Sequence, residues 1–277
     1  MAVASTAAER SRVRVPSPAG AVGLIVEHYW VWYLRNWRAT IVSSVLQPVL
    51  FLLAFGVGFG SLVDGTGRAA QATGGVAYLV WLAPALLAVT AVQTAAFEST
   101  YPVLSGFKWQ RIYHAMTAGP VTPGQVALGH LSWMVLKMTA SGVVYVVVIA
   151  LFGGVRSLGI VLSVLAASLA GAAVASLVMA FSATVENEGT AFSAIFRFGV
   201  IPMMLFSGTF FPIDRLPDWA EPIAWLSPLW HGTELAREAA LGTWRPLAAV
   251  GHLAYLTALL ALGIALATRL FARRLAR

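Results

Sequence analysis

Cysteine is absent from the 277 residues, which rules out a disulfide framework and a cysteine-based metal site. Charge is scarce: only 10% of residues are Asp, Glu, Lys or Arg, against 59% hydrophobic. Soluble domains carry roughly a quarter charged residues. A chain this poor in charge cannot cover its apolar surface with polar groups, so lipid must cover it. No GxxxxGK[ST] occurs, so there is no phosphate-cradling loop for a nucleotide, and no HExxH offers a catalytic zinc site. The five histidines, at 28, 114, 130, 231 and 252, are scattered and read as interfacial or structural. The glycines of "GVGFGSLVDGTG" sit at the end of an apolar run without a lysine, and suit close helix packing. No cofactor is expected on this chain.

Long apolar runs are abundant instead. A membrane helix needs about 20 mostly apolar residues. Six stretches qualify, at about 39–62, 76–97, 126–152, 158–184, 190–211 and 247–271. The net charge of +7 raises the question of nucleic acid. Positive residues also mark the cytoplasmic side of a membrane protein, and that reading fits the apolar runs, so no nucleic-acid partner is expected. With the N-terminus inside, eleven of the eighteen Lys and Arg lie on the cytoplasmic side, five lie opposite, and Lys137 and Arg197 fall within spans. The expected fold is therefore an all-α polytopic membrane protein with six spans, N-in and C-in. Residues 1–20 are polar and read as a disordered cytoplasmic tail.

Between the tail and the first span, 21–38 contains "GLIVEHYWVWYLRNWR". On a helical wheel Glu27, His28, Arg35 and Arg38 share about a third of the circle, and most of the rest is apolar. Mixed aromatic and basic residues suit the headgroup boundary, so an interfacial helix is expected. The longest inside loop holds Phe107–Met116, which reads as a short helix with Lys108, Arg111 and His114 on one side and Trp109, Ile112 and Tyr113 toward another. Thr122 and Pro123 then cap and start the third span. Glu186 and Glu188 stand at the inner end of the fourth span, where they could do acid–base work or, better, cap the next helix or form an inter-subunit ion pair. Charge inside a span is costly, so Lys137 and Arg197, with Glu186 and Glu188, are candidate pathway or gate residues; snorkelling is the simpler alternative for the two cations.

After the fifth span the chain reads "MMLFSGTFFPIDRLPDWAEPIAWLSPLWHGTELAREAALG" from Met203. Pro212 and Pro217 redirect the backbone, Asp218 can cap a helix near Trp219, Ser227–Pro228 starts another, and Gly242 stops it. Phe210, Phe211, Trp219, Trp225 and Trp230 give these pieces an apolar side. This stretch, together with "GFKWQRIYHAMTAGPVTPGQVALG" before the third span, resembles permease subunits of the ABC-2 transporter class. The similar branch holds the nodulation lipo-oligosaccharide exporters and the daunorubicin-type drug exporters. "TAGPVTP" departs mildly from the "ATPVSP"-like turn of that branch.

The resemblance covers almost the whole chain, making 21–277 an ABC-2 type transmembrane domain in a bacterial-type plasma membrane. It implies a permease that dimerises with a second copy or a paralogue and sits in lipid on two ABC ATPase subunits, which bind the ATP and Mg. It also implies no ATP hydrolysis by this chain, and a dimer interface lined by spans one, two and five. Phe107, Lys108, Trp109, Arg111, Ile112, Tyr113 and His114 would couple to the ATPase. Phe210, Phe211, Pro212, Trp219, Trp225 and Trp230 would form an outer lid on short re-entrant helices. The expected cargo is an amphipathic molecule: a lipo-oligosaccharide, a lipid-linked glycan or a drug. Two other classes fit a polytopic chain. An ion-coupled secondary transporter calls for inverted repeats and mid-membrane acids. An intramembrane enzyme on lipid-linked substrates calls for converging carboxylates.

Overall fold

The computed structural model describes residues 16–36, 46, 49–61, 73–186 and 190–277. Most of the expected tail, much of the first span, and Arg38 and Glu188 lie outside these. The described residues are overwhelmingly helical and contain no strand.

Helix α1, Pro18–Arg35, begins with Ser17 accepting from the Gly20 amide and Pro18 at the first position. A π-type helical stretch, Leu52–Phe59, belongs to the expected first span. Helix α2, Tyr78–Ser99, runs on into α3, Tyr101–Lys108, and after a break comes α4, Ile112–Thr117. Helix α5, Pro123–Leu151, opens with a capping box: Thr122 takes the Gln125 amide while the Gln125 side chain takes the Thr122 amide. Helix α6 is Ile160–Ser182. Next come α7, Thr190–Ala194, π-type turns over Ile195–Val200, and α8, Ile201–Phe206. The stretch after them holds a 3-10 turn, Ile213–Arg215, then α9, Glu221–Trp225, and α10, Pro228–Leu241. Helix α11, Pro246–Leu275, ends the fold.

Among the described residues four helices are long and apolar enough to cross a membrane: Tyr78–Lys108, Pro123–Leu151, Ile160–Ser182 and Pro246–Leu275. These account for four of the six expected spans. The first span falls largely outside the described residues, and the fifth is a shorter apolar helix, Thr190–Phe206. At 1.5 Å per residue it reaches about 26 Å, just under the roughly 30 Å hydrocarbon layer. It stops at Ser207–Gly208, where Gly208 takes a positive φ of 69° and turns the chain. The second span also exceeds expectation, because α2 does not stop at Phe97.

Helix α6 is the hub, packed by α2, α5, α10 and α11. Its sequence explains this: Ser163, Ala167, Ala170, Gly171, Ala173 and Ser176 are small and buried, so neighbouring backbones come close. Helix α2 is likewise enclosed by α6 and α10 of its own chain. It offers little exposed surface beyond Phe97.

Helix α10 runs antiparallel to α6 inside the bundle. A Cβ on Gly232 would lie 2.5 Å from Cβ of Ala170, ten residues into α6. Nearer the other end of α10, the Ala236 carbonyl accepts from Ser163 Oγ at 2.7 Å, and the Ala240 carbonyl accepts from Ser157 Oγ at 2.8 Å. Thus α10 starts level with the middle of α6 and ends level with its N-terminus. Gly242, at φ 70°, closes it as the sequence predicts. Ser227 precedes Pro228 as expected, but its hydroxyl pairs with Ser207 Oγ at 2.5 Å instead of capping. Asp218 is exposed in a turn, and the short helix begins at Glu221, not at Trp219.

Candidate functional site

The loop expected to hold one helix over Phe107–Met116 is instead a bent hairpin. Helix α3 ends at Lys108, Arg111 adopts a left-handed backbone at φ 50°, and α4 starts at Ile112. Packing explains the break. The Tyr113 ring folds back over α3, where a Cβ on Gly106 would meet it at 2.5 Å. Phe107 and Tyr113 are both buried and pack edge-on, 4.7 Å between centroids, with Phe271 of α11 against both. The Arg274 guanidinium lies 4.4 Å from the centre of the Phe107 ring. So two of the seven coupling candidates, Phe107 and Tyr113, are anchors rather than contact surface. Lys108, Trp109, Arg111 and His114 are exposed, with Trp109 50% accessible, and Ile112 is partly buried.

The Tyr113 hydroxyl meets His130 Nδ1 at 2.5 Å, and the Tyr29 hydroxyl lies 3.2 Å from the same nitrogen. Burial pushes the Tyr29 phenol up to about 12 and the Tyr113 phenol well above its ordinary value. Both phenols therefore keep their protons, and the two hydroxyls converge on the one ring nitrogen. This contact ties α1, the hairpin and α5 together.

Beside it, between α1, the hairpin and α5, lies a cavity of about 520 Å³ walled by Tyr29, Trp32, Tyr33 and Trp133, with Glu98 and Lys137 within it. Lys137 is neither snorkelling nor free: its Nζ bonds Glu98 Oε1 at 2.6 Å. Sequence reading placed Glu98 just past the second span and left the lysine unpaired. Because α2 continues into α3, Glu98 is carried along the span to face α5.

Glu186 forms an ion pair with Arg277 of the same chain at 3.0 Å, both well exposed. Its carbonyl also accepts from Lys108 Nζ at 3.4 Å. Its partner is therefore α11's C-terminal end, which makes it a clasp rather than an acid–base group. Arg197 is exposed on the π-type turns, and among the described residues no ion pair reaches it. The structure does not bring Lys137, Glu186 and Arg197 together.

The lid candidates also divide. Phe210 is partly buried against Phe55, and its carbonyl accepts from Tyr78 Oη at 2.9 Å. Trp230 is partly buried and lines the α10–α11 cleft beside Pro212. Phe211, Trp219 and Trp225 are exposed, Trp219 at 70%.

A polar group that sequence reading missed fills this cleft of about 840 Å³. Two of the seemingly scattered histidines meet there, His231 Nδ1 and His252 Nδ1 lying 2.7 Å apart. His231 Nε2 donates to the Trp225 carbonyl at 2.9 Å, so the proton between the rings comes from His252. Arg237, buried, stacks 3.5 Å over the Trp81 ring and donates to the Thr209 carbonyl at 2.9 Å and to Glu234 at 3.3 Å. Arg245 reaches Glu238 at 2.9 Å and Glu234 at 3.3 Å. The signal was the spacing of His231, Glu234 and Glu238, which puts three polar groups on one helical face in a chain short of charge.

Comparison with known proteins agrees with this architecture. The pattern of the ABC-2 type transporter family matches residues 21–241. Nodulation protein J of Rhizobium leguminosarum bv. viciae is 30% identical over 264 residues, covering 94% of this chain and 98% of that protein. Nodulation protein J of Rhizobium leguminosarum bv. trifolii is 30% identical over 94% of this chain and 97% of that protein. Nodulation protein J of Rhizobium meliloti (strain 1021) is 29% identical over 89% and 94%. With its apolar helices, this makes the chain a member of the ABC-2 type transporter family, a multi-pass membrane transport subunit.

Proposed function

We propose that this chain is the permease half of an ATP-driven exporter, and that two separate ABC ATPase subunits bind the ATP and Mg and dock beneath the bent hairpin. The observation that carries this is the hairpin itself. Trp109 and the cations Lys108 and Arg111 project from a tip whose base, Phe107 and Tyr113, is locked to α5 and α11. A push on the tip is thereby delivered to two spans. Its basic residues support a cytoplasmic position for the hairpin. The chain after the fifth span then turns back to mid-depth and α10 climbs from there to the outer face, a backbone course tolerated there because protein covers it. With a second permease copy it roofs a pathway for an amphipathic cargo, a lipo-oligosaccharide or a lipid-linked glycan.

The ion-coupled alternative has one observation in its favour, the Lys137–Glu98 pair inside the membrane helices. Vesicles reconstituted with the permease, with and without a candidate ATPase, separate the two. The exporter reading expects extrusion of a fluorescent glycolipid only when ATPase and ATP are both present. Movement driven by a pH or sodium gradient in their absence would instead make this a secondary transporter.

A further inference from the structure

We propose that the aromatic cavity between α1, the hairpin and α5 receives an uncharged, polyhydroxylated headgroup: the saccharide of a membrane-anchored glycolipid. The inference rests on the export reading for its place in a transport cycle, but its chemistry stands on the cavity alone. At about 520 Å³ the space lies within the range of small-molecule sites. Trp32, Tyr33 and Trp133 give it broad ring surfaces, on which the C–H face of a pyranose can lie. Trp32 is 57% accessible at the rim, where a lipid-borne headgroup would enter.

The charge arrangement decides which headgroup fits. Glu98 and Lys137 are mostly buried and satisfy each other at 2.6 Å. A phosphate on the remaining Lys137 protons would lie beside the Glu98 carboxylate. An ammonium group on the second Glu98 oxygen would lie beside the Lys137 ammonium. Either headgroup sets like charges next to each other in a partly buried site, which is costly. Neutral hydroxyls meet no such repulsion. They can use the second carboxylate oxygen of Glu98, the two remaining Lys137 protons and the exposed Gln110 amide.

The cavity is also part of the hairpin. Gly106 and Gln110 line it, and the Tyr113 ring that fixes the bend lies against Gly106. Tyr29, on its α1 wall, and Tyr113 share His130 Nδ1. A sugar seated there touches the segment through which the ATPase would act, so loading would be felt at the tip.

The test is competition binding. The purified permease is offered equal amounts of a monoglucosyl diacylglycerol, a phosphatidylethanolamine and a phosphatidylglycerol of identical acyl chains, and retained lipid is read by native mass spectrometry. The variants are Trp32→Ala and Gln110→Ala, both exposed, with thermal unfolding checked for each. The expected result is preferential retention of the glucosyl lipid, about fivefold weaker in either variant with unchanged unfolding. Trp32-dependent retention of a phospholipid instead would overturn the neutral-headgroup assignment. Retention of all three lipids that ignores both variants would overturn the site. Neither readout needs ATP. Glucosyl-lipid binding in a permease that no ATPase joins would sink the export reading and leave the site standing. ATPase association with no cavity-dependent lipid would do the reverse.

Discussion

Arg111 holds a left-handed backbone, a conformation that costs a non-glycine residue roughly 1–2 kcal/mol. Arg111→Gly should therefore keep or raise the unfolding midpoint, worth about 0.5–1 kcal/mol, while removing a cation from the hairpin tip. A fall in the midpoint would mean that the bend owes its shape to the arginine side chain instead. Arg237 is the opposite case. Its guanidinium joins α10 to Trp81 and to the Thr209 carbonyl while pairing with Glu234. Arg237→Ala should cost about 1–3 kcal/mol in detergent unfolding, because it leaves the Thr209 carbonyl without its donor and bares the Trp81 face, while Arg245 still pairs with Glu234. Arg237→Lys should recover only part, since a lysine cannot fork to three acceptors. These partnerships were hidden in the sequence for a simple reason. Trp81 lies 156 residues from Arg237, and Glu98 lies 39 from Lys137. A reading along the chain ranks charges by their span and cannot see across to a facing helix.

At the scale of elements, local punctuation was legible. Thr122–Pro123 and Gly242 sit where capping chemistry requires. The bend at Arg111 was not legible, because its cause is the Tyr113 ring against Gly106 and Phe271, a tertiary contact that overrides helix preference. The enclosure of α2 was hidden for the same reason, since a uniformly apolar helix looks alike against lipid and against protein. The seat of α10 depends on close approach. A Cβ on Gly159 would fall 1.9 Å from the Ala239 carbonyl oxygen, a backbone atom that cannot swing away. Gly159→Ala should therefore displace the C-terminal end of α10 and cost about 1–3 kcal/mol. Faster hydrogen exchange at Ala236–Leu241 would report it, and unchanged exchange there would show that α10 is not held by this contact.

For the whole molecule, the hairpin, α1 and α11 form one mechanical unit at the loop end. Phe271 packs on Phe107 and Tyr113, the Arg274 Nη1 donates to the Ser182 carbonyl at 2.9 Å, and Lys108 reaches the Glu186 carbonyl. The opposite end is organised around α10 and its charged cleft. Helix α6 touches both halves. Composition made the membrane character plain, and the segment after Met203 pointed to the family. Neither could show that the fifth apolar run is short or that α10 is built into the bundle. The central claim is that the hairpin tip transmits ATPase motion. Its most direct measurement is ATP hydrolysis by a candidate partner ATPase reconstituted with the permease, comparing the native chain with Trp109→Ala/Arg111→Glu. Both positions are exposed, so the fold should survive. The account predicts that the variant inserts and unfolds like the native protein, yet loses roughly tenfold in ATPase association or in permease-dependent hydrolysis. Native association and native hydrolysis with both tip residues replaced would contradict it.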